Sequence, residues 1–395
     1  MSVGLAEVQA ARERIGGAVL RTPLLPADAL APGLWLKAES LQRMGSFKVR
    51  GAFSRMRLLT ADERARGVVA ASAGNHAQGV ALVARELGIR ASIVMPEGAP
   101  LTKLEATRRL GAEVIQEGTT FDAAFAKAQT LVREHGYVLI HAFDDAAVIA
   151  GQGTVALEIL EDLPDCACML VPIGGGGLIS GVAAAAKALR PDIRVIGVEA
   201  AGAAAMAESL KAGRLVTLPS VHTIADGLAV KQPSQRTFDM VRALVDDVVV
   251  VAEDEVARAM LLLIERARLV AEGAGAAATA AALSRSWPRP TVAVVSGGNV
   301  DVTMLGEIID RGLVGEGRYL RLRTRVPDRP GALATLLRLV ADEGGNLITV
   351  EHDRLRVGLP LDETWVALLI ETRGPEHAAA LRDRLGREGY ALTEA

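Results

Sequence analysis

The sequence predicts an α/β protein, with a doubly wound and mainly parallel sheet architecture followed by a smaller ferredoxin-like module. Three observations carry that expectation. Short β-branched runs alternate with longer helical stretches over most of the chain. Glycine is abundant, 40 of 395 residues, while aromatics make up 3%, which suits many tight strand-to-helix turns. Beyond residue 317 the pattern switches to a period of two.

Taken in order, residues 68–71 read as a strand, and a helix follows through Gly88. Residues 91–95 form a strand ended by Pro96. The stretches 113–116, 138–140, 169–173, 195–199 and 292–295 repeat the theme, with helices between them, including 153–161, 180–189 and 253–268. In such folds ligands sit at the carboxyl ends of the strands. Gly312, Gly315 and Gly317 fall within six residues and mark a linker. The expected division is therefore a large domain over 1–312, with a smaller subdomain at about 50–145, a linker over 313–317 and a module over 318–395.

In that module Leu320, Leu322 and Thr324 alternate with Arg321, Arg323 and Arg325, a strand whose arginine face is solvated. A helix follows Pro330-Gly331, strands cover 346–352 and 364–372, and a last helix covers 375–388. The order βαββα, with a closing strand, is ferredoxin-like.

Composition excludes several classes. Net charge is −3 and no block of like charges occurs, so nucleic acid is not an expected partner. Cys166 and Cys168 stand in an apolar stretch and read as buried strand residues. Six histidines show no metal-ligand spacing, and two cysteines give no disulfide framework, which fits a reducing cytoplasm. Glu7, Arg12, Glu13 and Arg14 interrupt any signal-peptide core, and the uncharged stretch 273–284 falls short of the ~20 residues that span a bilayer. A soluble protein is expected, with no membrane partner.

Four segments carry chemistry. Lys48, in Gly45-Ser46-Phe47-Lys48-Val49-Arg50-Gly51, follows a phenylalanine between flanking glycines. Apolar surroundings lower a lysine's pKa and free its amine to attack a carbonyl. Ser72-Ala73-Gly74-Asn75-His76 follows the 68–71 strand and opens a helix, where free backbone amides suit a carboxylate. Gly174-Gly175-Gly176-Gly177-Leu178 follows the 169–173 strand, and such a run lets backbone amides wrap a phosphate. Ser296, in Ser296-Gly297-Gly298-Asn299, ends a strand where a hydroxyl can meet a ring nitrogen. Glu272, beside a helix start, reads either as a helix-dipole partner or as part of the site. Together these describe a pyridoxal phosphate enzyme.

In this order the segments resemble the fold-type II (tryptophan-synthase-β-like) pyridoxal phosphate enzymes, and among them the threonine ammonia-lyases, or threonine dehydratases. The resemblance runs from about residue 5 to 312 and includes Leu36-Lys37-Ala38-Glu39, His141-Ala142-Phe143-Asp144-Asp145, Ile149-Ala150-Gly151-Gln152-Gly153-Thr154 and Ile224-Ala225-Asp226-Gly227. The tail, with Asp328-Arg329-Pro330-Gly331-Ala332-Leu333 and Gly345-Asn346, resembles an ACT domain, a module that commonly senses amino acids.

The resemblance implies a carbon–nitrogen lyase that eliminates water from L-threonine and releases 2-oxobutyrate and ammonia, with L-serine as a poorer substrate. Isoleucine biosynthesis is one setting for such a reaction. Lys48 would bind the cofactor as a Schiff base and take the α-proton. The glycine run, Leu178, Asn75, Glu272 and Ser296 would hold the cofactor, with Phe47 packed beside it or in the core. The substrate carboxylate would lie on Ser72, Ala73, Gly74, Asn75 and His76. Serine racemases carry a serine at the Ala73 position that protonates the opposite face, so little racemase activity is expected. Racemase-like relatives bind a divalent cation through a glutamate, matched by Glu199, and an aspartate, where Ala205 stands. A tight magnesium site is therefore not expected, and a monovalent ion or water at Glu199 stays open.

Competing readings are a serine or β-hydroxyaspartate dehydratase and a non-catalytic amino-acid sensor. An amino-acid effector such as isoleucine or valine would bind the ACT module, with Gly331 and Asn346 as candidate contacts. A homo-oligomer, dimer or tetramer, is expected.

Overall fold

Runs of apolar residues without alternation form strands buried on both faces, and the chain builds its main sheets from them. In the computed structural model, which describes residues 3–353, 360 and 362–393, ten strands precede residue 300. They are Leu24–Pro26 (β1), Leu34–Ala38 (β2), Val68–Ala71 (β3), Ala91–Met95 (β4), Glu113–Gln116 (β5), Val138–Leu139 (β6), Cys168–Pro172 (β7), Arg194–Ala200 (β8), Asp247–Val251 (β9) and Thr291–Val295 (β10). They form a six-stranded sheet, β1-β2-β10-β7-β8-β9, and a four-stranded sheet, β5-β4-β3-β6. Every pairing is parallel except β1 with β2. The smaller sheet falls within the expected insert at 50–145.

The larger sheet is covered by Leu5–Ile15, Ala146–Asp162, Gly177–Leu189 and Gly273–Ser284, among other helices. Its core includes Val8, Ile149, Ile159, Met169, Val182 and Val292. The smaller sheet packs its own core, with Val49, Phe53, Val68, Val80 and Ile93. Residues Lys48–Met56 form a helix that packs against both Asn75–Leu87 and Ala146–Asp162. Lys48 thus opens a helix gripped between the two cores.

Several elements differ from the sequence reading. The first two strands and β9 were not anticipated; β2 carries Lys37, fully buried in an otherwise apolar run. The helix expected at 153–161 begins at Ala146, because Asp145 Oδ1 accepts from Ala147 N at 2.8 Å and from Val148 N at 3.0 Å. The helix expected at 253–268 is α-helical only over Glu253–Leu262, widens into a π-turn over Leu263–Ala267 and stops at Arg268, whose φ is 58°.

Contacts divide the chain into 1–300 and 301–395. The helix Val302–Gly315 runs through the first three residues of the expected linker and packs on the strand Tyr319–Pro327 (β11). Gly312 and Gly315 are helical, and the turn comes at Gly317, with φ of +64°, where an added Cβ would lie 2.8 Å from Pro375.

In this second unit β11 pairs antiparallel with Glu363–Glu371 (β13), which pairs with Asn346–Asp353 (β12), giving the order β11-β13-β12. Helices Ala332–Asp342 and Pro375–Arg387 complete βαββα. Leu320, Leu322, Leu336, Val366 and Leu381 fill its core. The expected closing strand is reduced to one bridge, Arg323 with Thr393, among the described residues. On the arginine face, Arg323 and Arg325 stack over Trp365 at 5.7 and 5.9 Å.

Candidate active site

The loop before Lys48 is locked to the loop after β10. Phe47 N donates to Ser296 O at 3.2 Å, Gly298 N donates to Gly45 O at 2.8 Å, and Ser46 bridges Gly297. Asn299 Nδ2 closes the lock by donating to Met44 O at 2.6 Å. Gly45 has a φ of +68°, and an added Cβ would lie 2.4 Å from Asn299 Oδ1, so only glycine fits there. Lys48 and Ser296 are neighbours for these backbone reasons.

Lys48 is half-buried, and its Nζ donates to Ala142 O at 3.0 Å. The same ammonium lies 5.2 Å from the centre of the Phe47 ring. Burial pulls its pKa down to about 8, against an opposing pull from Glu272. The Phe47 ring also packs against the large core, as the second of its two expected placements requires.

Ala142 O is presented by a histidine turn. His141 Nδ1 accepts from Phe143 N at 3.2 Å and from Asp144 N at 2.8 Å. Phe143 lies directly on the glycine run: a Cβ added at Gly175 would be 2.2 Å from its ring, and one at Gly177 2.9 Å from its Cβ. The glycines at 175 and 177 are therefore required by close packing as well as by backbone exposure. Gly176 has a φ of +89° and caps the helix Gly177–Leu189. The first bond of that helix is Ser180 N to Gly176 O, at 3.0 Å, so the amides of residues 177–179 precede the helical ladder. Ser180 Oγ is a buried hydroxyl with no partner. Leu178 is buried in the core, and its backbone N–H is one of those free amides.

Asn75 and Glu272 meet beside Gly297. Asn75 Nδ2 donates to Glu272 Oε1 at 2.5 Å, and Asn75 Oδ1 accepts from Asn299 Nδ2 at 2.7 Å. Glu272 precedes the helix Gly273–Ser284 but its side chain does not cap it. Burial, reinforced by Asp226, pushes its pKa up to about 7. Ser296 is buried, and its hydroxyl donates to Ala274 O at 3.3 Å.

The Ser72 to His76 segment divides in two. Ser72 Oγ accepts from Gly74 N at 3.1 Å, and the space beyond Gly74 is open. The His76 side chain, in contrast, is buried and its Nε2–H donates to Ile140 O at 2.7 Å. Burial pulls it down to about 3, so it stays neutral and fixes the strand β6 end. Only its backbone faces the loop's task.

Glu199 is buried. Its Oε1 accepts from Met206 N at 2.9 Å and its Oε2 from Ala207 N at 2.8 Å, so both oxygens serve the helix Ala205–Ala212. No group of three or more His, Cys, Asp or Glu side chains gathers among the described residues. Cys168 opens β7 and Cys166 precedes it; both are buried and their thiols are pushed up, to about 11 and about 12. No described helix is long and apolar enough to cross a membrane. Gly331 precedes the helix Ala332–Asp342, and Asn346 follows it, donating to Glu371 Oε2 at 2.9 Å. These two effector candidates stand at opposite ends of one helix, about 16 Å long, and would not share a small ligand within one chain.

The donor set fits pyridoxal phosphate. An amine suits its aldehyde, free helix-terminal amides and the orphaned Ser180 hydroxyl suit its phosphate, and a serine hydroxyl suits its ring nitrogen. Sequence reading missed Phe143, Asn299 and the Ala142 carbonyl as participants. Phe143 had a signal, since glycines 175 and 177 need a large neighbour to explain their bareness.

Comparison with known proteins agrees with this chemistry. Residues 15–297 match the family model for pyridoxal-phosphate dependent enzymes, and residues 320–389 match the ACT domain. The chain is 46% identical to the L-threonine ammonia-lyase of Thermotoga maritima over 99% of both chains. Among solved structures, serine racemase from maize superposes with a TM-score of 0.75 at 38% identity, covering 80% of this chain and all of that one. The processed threonine deaminase isoform 2 of Solanum lycopersicum gives 0.74 at 37% identity, covering 80% of this chain and 91% of that one.

Proposed function

We propose that this chain, which belongs to the pyridoxal-phosphate dependent enzymes, deaminates L-threonine to 2-oxobutyrate and ammonia, with L-serine as a poorer substrate giving pyruvate. The observation that carries the reading is the Lys48 amine, half-buried, held by Ala142 O at 3.0 Å and lowered to about 8. Such an amine is partly unprotonated near neutral pH and can take a proton from carbon.

When bound, the cofactor supplies an electron sink for the bond broken at the substrate α-carbon. The chain's residues do the rest. Lys48 would hold the aldehyde and, once the substrate amine displaces it, would accept the α-proton at Nζ. The amides at the start of Gly177–Leu189 would hold the phosphate, and the free amides of the Ser72 to His76 loop would receive the substrate carboxylate. Asn75, fixed by Glu272 and Asn299, presents its amide to the cofactor's ring oxygen. Ser296 offers the ring nitrogen a neutral hydroxyl. A neutral partner there would favour prompt loss of the β-hydroxyl over transamination. The hydroxyl would leave as water with the proton that Lys48 Nζ took from the α-carbon, and hydrolysis of the released enamine would give 2-oxobutyrate and ammonia. Ala73 has no hydroxyl to protonate the opposite face, which separates this site from the racemases.

In the same reading the ACT module senses an amino acid, the enzyme is a cytoplasmic homo-oligomer, and Glu199 serves its helix without a tight divalent cation. The test is 2-oxoacid release by the holoenzyme from threonine, serine and β-hydroxyaspartate, with and without isoleucine and valine. Threonine should give the highest kcat/KM. Preference for serine or hydroxyaspartate would replace the substrate, and no release from any of them would refute the reading.

A further inference from the structure

We infer that Arg50 is the positioning residue for Lys48, acting through a buried ion network that fixes the helix from which the lysine projects. The inference rests on Lys48 being the reactive amine.

Arg50 follows Lys48 by two residues and is 1% exposed. All five of its N–H groups are engaged. Nε donates to Glu39 Oε2 at 2.8 Å; Nη2 reaches Glu39 Oε1 at 2.8 Å and Glu158 Oε2 at 2.9 Å. Nη1 reaches Glu158 Oε1 at 2.6 Å and Thr154 Oγ1 at 3.1 Å. Lys37 Nζ completes the set on Glu158 Oε2 at 2.6 Å and Thr22 O at 2.7 Å. Two cations face two carboxylates, so the network is neutral and leaves the Lys48 amine's own charge state to other groups.

The helix needs such an anchor. Lys48–Met56 has no side-chain cap at its N-terminus. Its neighbours touch it through glycines: an added Cβ at Gly79 would lie 3.4 Å from Val49 N, and one at Gly151 2.7 Å from Arg50 O. The helix is also held by its buried Val49, Phe53 and Met56 in the smaller core, by Gly51 N donating to Gln152 Oε1 at 3.0 Å and by Arg55 Nε donating to Asp145 Oδ2 at 3.0 Å. To these the Arg50 fork adds a buried, multidentate tie from the helix's first turn to the turn after β2 and to Ala146–Asp162. Apolar side chains could fill the same volume with equal or greater stability, since burying charges carries a desolvation cost. Directional bonds at the root of Lys48 are explained by geometry. A misplacement of about 1 Å at a reacting atom costs on the order of 100-fold in rate.

The test uses the holoenzyme. Arg50→Lys keeps the charge and loses the fork; Arg50→Met with Glu39→Gln keeps neutrality. Lys37→Met with Glu158→Gln removes one cation and one carboxylate while Arg50 stays. Each is measured for bound cofactor per chain, its induced circular dichroism, borohydride-trapped attachment at Lys48, Tm, and kcat and KM for threonine. The expected result is attachment still at Lys48, an altered induced dichroism, and kcat per loaded site lower by about 10- to 100-fold, with KM within about threefold. Lys37→Met with Glu158→Gln should move kcat in the same direction, and it decides the matter if the Arg50 variants fail to fold. Unchanged kcat per loaded site and unchanged dichroism, whatever the Tm, would overturn the inference and leave the network merely structural. A parent enzyme that releases no 2-oxoacid would instead refute the reading on which the inference rests.

Discussion

Asn75 Nδ2 donates to Glu272 Oε1 at 2.5 Å, joining residues 197 positions apart. Asn75 opens the helix after β3 of the smaller sheet, and Glu272 opens a helix against the larger one. One hydrogen bond therefore spans the two halves of the site beside Ser296 and Gly297. Its acceptor is a carboxyl that burial pushes up to about 7, from an ordinary value of 4.5.

That shift has a signed consequence for stability. A carboxyl that binds its proton more tightly when folded stabilises the fold fully below its ordinary value and loses that contribution as pH rises through about 7. Glu272→Gln keeps an acceptor for Asn75 and removes the titration. The variant should gain stability relative to the parent at pH 8, by at most about 3 kcal/mol, and little at pH 4. Urea unfolding at the two pH values measures this, and an equal effect at both would show that Glu272 does not titrate as described.

His76 works in the opposite direction. Held neutral and pulled down from 6.5 to about 3, it leaves the folded state with fewer protons than the unfolded chain between those values. Its contribution is present above pH 6.5 and is lost as pH falls through the window toward 3. His76→Gln, which retains a donor for Ile140 O, should flatten the acid side of the stability profile. An unchanged acid limb in urea unfolding from pH 7 to pH 4 would contradict the assignment.

The bare glycines predict a second-site rescue. Gly175→Ala places a methyl group 2.2 Å from the Phe143 ring. Overpacking of about 1–3 kcal/mol should weaken cofactor binding about 10-fold or more. Combining it with Phe143→Ala should recover part of the loss, a coupling visible in a double-mutant cycle of cofactor Kd. Additive losses would mean that Phe143 does not shape the glycine run.

The architecture was legible because both of its periods are written in the side chains: continuous apolar runs such as 68–71 and 292–295 for buried parallel strands, and alternation at 320–325 for the half-exposed one. Lys48, the glycine run and Ser296 were legible because their residue types fit one chemistry. What escaped has two causes. The Ala142 carbonyl is a backbone group, identical at every position. β2 escaped because Lys37 breaks its apolar run, and its burial depends on Glu158, 121 residues away, and on Thr22 O. Gly312 and Gly315 misled as linker signals because the helix Val302–Gly315 tolerates them.

Ala73 bears on the product. Its side chain packs against the smaller sheet's core and offers no hydroxyl to the site. With L-serine, pyruvate should form at least about 10 times faster than D-serine, since a missing proton donor costs 10²–10⁴-fold in the step it serves. Chiral chromatography showing comparable rates would refute the single-face account.

The central claim is that Lys48 is the cofactor's attachment point and the base of the reaction. Borohydride reduction of the holoenzyme followed by peptide mass spectrometry tests it most directly. The account predicts one pyridoxyl-phosphate adduct per chain, on Lys48, and neither adduct nor 2-oxobutyrate release from Lys48→Ala. An adduct on another lysine, or undiminished threonine deamination by Lys48→Ala, would contradict it.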